Sequence, residues 1–275
     1  MKKIALLCWA AVFLPGCPFS LTLPRDIVRF EDNLKCPDWD TDALAAEEIR
    51  FDQNCDTLLL ECALNVLRDA LPAPVHRGDL PARICFLLAD REKDRKRREN
   101  LAAEGVRWAE IAISQGAGLN GAVHYYLAVN LGLAVYGHTA LAVKNLKRIS
   151  AQLQKAGQLA PNVDSGGPFR VLGMLYLLAP PWPQGIGDGD KALKLLKRVA
   201  KYFPGHPLNH VFLARALWEI EEEDALDQVR AQLEIALKLI RQDRFRGPRQ
   251  RWLKEVREVA KDAELGDVVK QTQNL

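Results

Sequence analysis

From residue 41 onward, apolar side chains recur at separations of three and four residues, and no stretch alternates with a period of two. Leu, Ala, Lys, Arg and Glu dominate, so the chain reads as all-α. Asp40 or Thr41 can cap a long helix whose apolar stripe near its end is Leu58, Leu59, Cys62, Val66 and Leu67, and Pro72 and Pro74 stop it. Arg83 to Asp90 opens a second pair with Ile84, Leu87 and Leu88 inward. The run Asp90 to Glu99 mixes signs at short separations and reads as a solvated helical turn held by intrahelical ion pairs. Leu101 to Ile113 returns, with Val106, Ala109 and Ile113 on one face.

A repeat then becomes explicit. Phe169, Leu172, Gly173 and Tyr176 stand at the spacing of the first helix of a tetratricopeptide unit, and Ala192, Leu196, Val199 and Pro204 at that of its second. Gly173 and Ala192 are small where two helices must approach closely. The turn carries an insertion, residues 180 to 187, rich in Pro and Gly and containing Trp182. Tyr126, Val129, Asn130 and Leu133 with Ala142, Leu146 and Ile149 form an earlier copy, in which Asn130 replaces the small residue. Tyr126, Phe169 and Phe212 are spaced by 43 residues each, and Leu146-Lys-Arg-Ile is echoed by Leu196-Lys-Arg-Val. A degraded third copy uses Phe212, Ala214, Leu217 and Trp218, then Val229, Leu233 and Ala236. After the break at Gly247-Pro248, Arg249 to Asp262 forms a charged helix with Trp252, Val256 and Val259 inward, which suits a terminal cap. The expected architecture is a tetratricopeptide-like helical-hairpin solenoid over residues 41–262, with 263–275 as a C-terminal tail.

The N-terminus adds an address. Lys2 and Lys3 precede the apolar run Ile4 to Leu14 and then Pro15-Gly16-Cys17, which reads as a lipoprotein signal over 1–16 with Cys17 acylated. The run is shorter than the ~20 residues needed to span a bilayer. Residues 17–40, with Pro18, Pro24 and Pro37, read as a lipidated tether. The expected location is the periplasmic side of a membrane, and Pro18 after the cysteine points to the outer one.

Export makes Cys36, Cys55, Cys62 and Cys85 candidates for disulfides. Cys55 and Cys62 on one helix would lie too far apart, so the favoured pairing joins Cys62 to Cys85 and Cys36 to Cys55, with buried thiols as the rival. No ligand spacing supports zinc or another metal. A net charge of +3 gives no ground for a nucleic-acid role or for binding an anionic surface.

Candidate chemistry is sparse. Asp188-Gly-Asp190 lacks the later ligands of a calcium loop and reads as a helix cap. His206 and His210 read as capping and turn-packing residues, and Gly166-Gly-Pro168 as a tight turn before a helix. No nucleophile and base arrangement stands out, so the chain reads as a binding protein without catalytic residues or cofactor. Trp182 either packs back over its helix pair or lines a ligand cavity or partner surface, with Arg170, Tyr125 and Tyr126 facing the same cavity.

The stretches Gly166-Gly-Pro-Phe-Arg-Val-Leu-Gly-Met-Leu-Tyr, Ala179-Pro-Pro-Trp-Pro-Gln-Gly-Ile-Gly-Asp, Pro207-Leu-Asn-His-Val-Phe-Leu-Ala and His124-Tyr-Tyr-Leu-Ala-Val-Asn-Leu-Gly resemble the TatT family, across roughly residues 83 to 240. These are the lipoprotein T components of tetratricopeptide-associated TRAP transporters. The resemblance implies a periplasmic helical-repeat protein, an oligomer with a central opening, binding to the periplasmic solute-binding component of the transporter, and uptake of a small organic acid. A structural envelope scaffold without a small-molecule ligand is the alternative.

Overall fold

The computed structural model describes residues 27–30, 35–46, 51–70, 78–221 and 225–273. The signal segment and Cys17 lie outside the described residues. Among the described residues the protein is an all-α helical-hairpin fold with no strand, and no helix is long and apolar enough to cross a membrane. The helices are α1 (Thr41–Ala46), α2 (Thr57–Asp69), α3 (Leu80–Arg91), α4 (Arg95–Ser114), α5 (Gly121–Ala134), α6 (Thr139–Leu159), α7 (Gly167–Leu178), α8 (Gly189–Tyr202), α9 (Pro207–Glu221), α10 (Leu226–Ile240), α11 (Arg249–Asp262) and α12 (Gly266–Gln273).

Each helix from α2 to α10 packs on its chain neighbours, and the odd-numbered helices from α3 to α11 also touch one another in sequence. That second set of contacts makes them an inner layer, with α4, α6, α8 and α10 outside. The repeat explains the spacing of the layers. A side chain at Gly173 on α7 would place its Cβ 2.7 Å from Leu196 on α8, so only glycine lets these two helices come so close. Asn130, at the equivalent place on α5, instead donates to the carbonyls of Ala82 on α3 and Tyr126, each at 2.8 Å. It therefore serves as a clamp between inner helices rather than as a spacer.

Local chemistry sets the boundaries. Asp188 caps α8 by accepting from the Lys191 amide at 3.0 Å, as the sequence predicts. The long helix expected from Asp40 is two helices. Asp40 accepts from Ala43 to start α1, and Asp56 accepts from Leu58 to start α2. The charged run after Asp90 is not a continuous helical turn. Glu92 to Asp94 break the helix, Asp94 caps α4 through the Arg97 amide, and Arg97 pairs with Glu92.

The ends of the chain are more ordered than the sequence suggests. Val28 is buried and Arg68 stacks over Phe30, so residues 27–30 of the expected tether pack on the folded unit. Cys36 and Cys62 form a disulfide, which replaces both expected pairings. Cys55 precedes α2 and its thiol lies 3.6 Å from the Asp56 carbonyl, while Cys85 is buried on α3 and stays outside the disulfide. Burial pushes the Cys85 thiol well above its usual range, and the nearby Glu104 carboxylate pushes it further. Residues 263–275, expected as a tail, instead supply α12, whose Val268 and Thr272 are buried against its neighbours.

Candidate functional site

The inner helices do not form an open trough, because the two ends of the array meet. Arg251 on α11 donates to the Asp90 carbonyl at the end of α3 at 3.2 Å, pairs with the Asp90 carboxylate, and reaches Gln53 at 2.9 Å. Beside it, Asn54 donates to the Arg244 carbonyl at 2.7 Å and accepts from the Gly247 amide at 3.0 Å. Burial lowers the Arg251 pKa. The helices thus close around a cavity of about 380 Å³.

Its walls are mostly apolar. Ala128, Val129 and Leu133 come from α5, Val171 and Leu175 from α7, and Phe212 and Trp252 from α9 and α11. Such a lining with a few placed polar groups is typical of a small-molecule site. Gly132, on α5, also lines the cavity, and a Cβ there would meet nothing within 4 Å.

One end of the cavity is polar. Asp164, Ser165 and Gly166 all take left-handed backbone angles, with φ of 47°, 50° and 84°, immediately before α7. Two consecutive non-glycine residues in that region cost about 1 kcal/mol or more each, so the surroundings must hold them there. What holds them is the Asp164 carboxylate. It accepts from the Tyr125 hydroxyl at 2.6 Å, pairs with Arg170, and lies 3.7 Å from His206. Arg170 also donates to Asn209 at 2.9 Å, and Asn209 donates to the carbonyls of Ser165 and Phe203. Residues from α5, α7 and α9 are thereby tied to one turn.

The electrostatics follow from this network. Burial by itself would raise the Asp164 pKa, but Arg170, His206 and the Tyr125 hydrogen bond together outweigh it and hold the carboxyl below its ordinary range. Burial and then the Asp164 charge push the Tyr125 phenol well up. Burial, reinforced by Arg170, drives His206 down to about 3, so its imidazole is neutral at physiological pH. Its ring packs 5.0 Å from Trp252 and 6.1 Å from Phe245.

Of the sequence candidates, the structure brings Arg170 and Tyr125 to the cavity and leaves two elsewhere. Tyr126 is packed behind the wall, between Tyr125 and Phe86. Trp182 is 84% exposed on the far side of its turn, so it neither covers its helix pair nor lines the cavity. Arg170 is 3% exposed and its charge is met by Asp164, which makes it a frame for the cavity floor. Nothing in the local spacing of residues points to Asp164, Asn209 or the closing trio Gln53, Asp90 and Arg251. They act across helices far apart in the chain, and no local spacing carries that. His206 and His210 have protein neighbours, His210 through Gln232 at 2.7 Å and the Pro204 carbonyl at 2.8 Å.

No protein-family model matches the chain, and no curated protein matches it.

Proposed function

We propose that this chain is a membrane-anchored periplasmic binding protein whose closed helical array takes up a small, largely apolar molecule and passes or receives it through a protein partner. The observation that carries this reading is the cavity of about 380 Å³ with apolar walls and a neutralised polar end. A flat, polar inner face would instead suit a scaffold. The resemblance of residues 83 to 240 to T components of TRAP-type transporters supplies the partner, a periplasmic solute-binding protein, and a homo-oligomeric assembly. Cys17 would carry the lipid that keeps the unit at the membrane. Recognition here needs no catalytic residue.

Native mass spectrometry of the chain isolated from membranes tests the reading. The expected spectrum shows a defined oligomer, or a complex with a solute-binding protein, carrying a small molecule. A bare monomer without a small molecule would favour the envelope scaffold.

A further inference from the structure

The near balance of total charge hides a strong local imbalance. On α6 the ionisable side chains are Lys144, Lys147, Arg148 and Lys155, with no acidic residue. Its repeat partner α8 carries Lys191, Lys194, Lys197, Arg198 and Lys201 against Asp190 and the capping Asp188, which pairs with Lys191 at 2.7 Å. All of these basic side chains are exposed. The sequence echo puts them in register, since Lys144, Lys147 and Arg148 occupy the places on α6 that Lys194, Lys197 and Arg198 occupy on α8. The two arginines confirm a common orientation, because each turns back toward the preceding layer. Arg148 reaches Glu110 on α4 at 2.7 Å, and Arg198 lies over Phe169, whose ring abuts Gly157 on α6. The lysines therefore form one continuous outer face, on helices closer together than a few screening lengths.

Exposed apolar side chains border this face at both ends, Leu159 and Tyr202 at one and a larger group at the other. Hairpin topology places the α5–α6 and α7–α8 turns at the same end of the array, and there Tyr136 is 64% exposed, Leu178 60% and Trp182 84%. The Trp182 turn is built to stay in place. The Gly187 amide donates to the Pro180 carbonyl at 2.8 Å and the Asp188 amide to the Tyr176 carbonyl at 2.9 Å. A Cβ at Gly187 would stand 2.1 Å from the Ala179 carbonyl oxygen, so this closure requires glycine.

We propose that the outer face of α6 and α8, with the Trp182 turn at its rim, docks on the surface of an anionic phospholipid bilayer. Charge complementarity favours lipid over protein. The face is dominated by lysine, which protein interfaces disfavour, and its two arginines are engaged within the chain. Lysines over anionic headgroups with a tryptophan at the interface is the usual composition of a peripheral lipid-binding surface. The proposal draws on the membrane-tethered reading only for the nearness of lipid, and it gives the folded unit a fixed orientation there.

The test is flotation of the full chain with vesicles of phosphatidylcholine alone or of phosphatidylcholine mixed equally with phosphatidylglycerol. Binding to the neutral vesicles reports the N-terminal anchor, and the gain on the anionic ones reports the face, so the two readings fail separately. Each lysine near an anionic surface contributes about fivefold. The combined variant K144Q, K147Q, K194Q and K201Q is expected to lose about 600-fold of the anionic gain while keeping its circular dichroism. High salt should remove the same gain. Trp182→Phe should abolish a blue shift in tryptophan emission that the wild type shows only on anionic vesicles. Equal binding to both vesicle types would overturn the proposal. So would an undiminished gain in the lysine variant, including the case in which that variant loses a co-purifying protein instead.

Discussion

Asp164 is the residue on which the cavity floor depends, because three inner helices meet through its carboxylate and the left-handed turn that carries it. Asp164→Ala leaves Arg170 buried without its counter-charge, and breaking such a pair costs about 3 kcal/mol or more. Chemical denaturation should show that loss, and Asp164→Ala combined with Arg170→Met should recover part of it. His206 gives the site a pH dependence of known sign. Between its folded value of about 3 and the ordinary 6.5, the unfolded chain binds a proton that the folded chain refuses. Stability therefore falls as pH drops through that window. Asp164 acts lower, since its contribution is complete above the unfolded carboxyl value of about 3.9 and is lost as pH falls through its depressed folded value. His206→Phe, which keeps a ring against Trp252, should flatten the stability profile between about pH 3 and 6.5 in acid titrations followed by circular dichroism. An unchanged profile would assign the acid sensitivity to other groups.

At the scale of elements, the repeat was legible because it is local. Gly173 and Ala192 mark the approach of α7 to α8, and the inward faces of α10 and α11 are the ones the three- and four-residue periodicity picks out. The cysteines were not legible in the same way. The expected pairing needs one helix containing both Cys55 and Cys62, but Asp56 starts that helix after Cys55, and the segment around Cys36 lies against α2 so that Cys36 meets Cys62. The bridge closes 26 residues, for which the loss of unfolded-chain entropy is worth about 3 kcal/mol. Cys36→Ser should lower stability by about that amount and speed hydrogen exchange in residues 35–46, whereas an effect confined to exchange would mean that the bridge only pins the segment. The fate of 263–275 was missed for a related reason. Val268 and Thr272 bury against α10 and α11, and a short charged stretch gives no sign of a partner so far back in the chain.

For the whole molecule, the decisive feature is closure, and no local pattern encodes it. Arg251 and Asp90 are separated by most of the folded chain, so their contact depends on the curvature accumulated over every intervening helix. With the two side chains 30% and 34% exposed, this ion pair contributes on the order of 1 kcal/mol, so Arg251→Ala should change stability little. Its larger expected effect is on retention, since Arg251 lines the cavity and holds the two ends of the array together beside it. A bound small molecule should dissociate faster from this variant in competition experiments. Arg170 and Tyr125 line the cavity, while Trp182 lies outside it, because an insertion in an outer turn projects away from the inner layer.

Whether the cavity holds a small molecule can be decided at Gly132. A tryptophan there has open space to enter and replaces a glycine within a helix, so Gly132→Trp should fill the cavity at little or no cost in stability. The measurement is mass spectrometry of small molecules released from equal amounts of wild-type and Gly132→Trp protein isolated from membranes. The expected result is a stoichiometric apolar compound in the wild type and its loss in a variant that melts at the same temperature or higher. The same compound retained in both, or none in either, would contradict it.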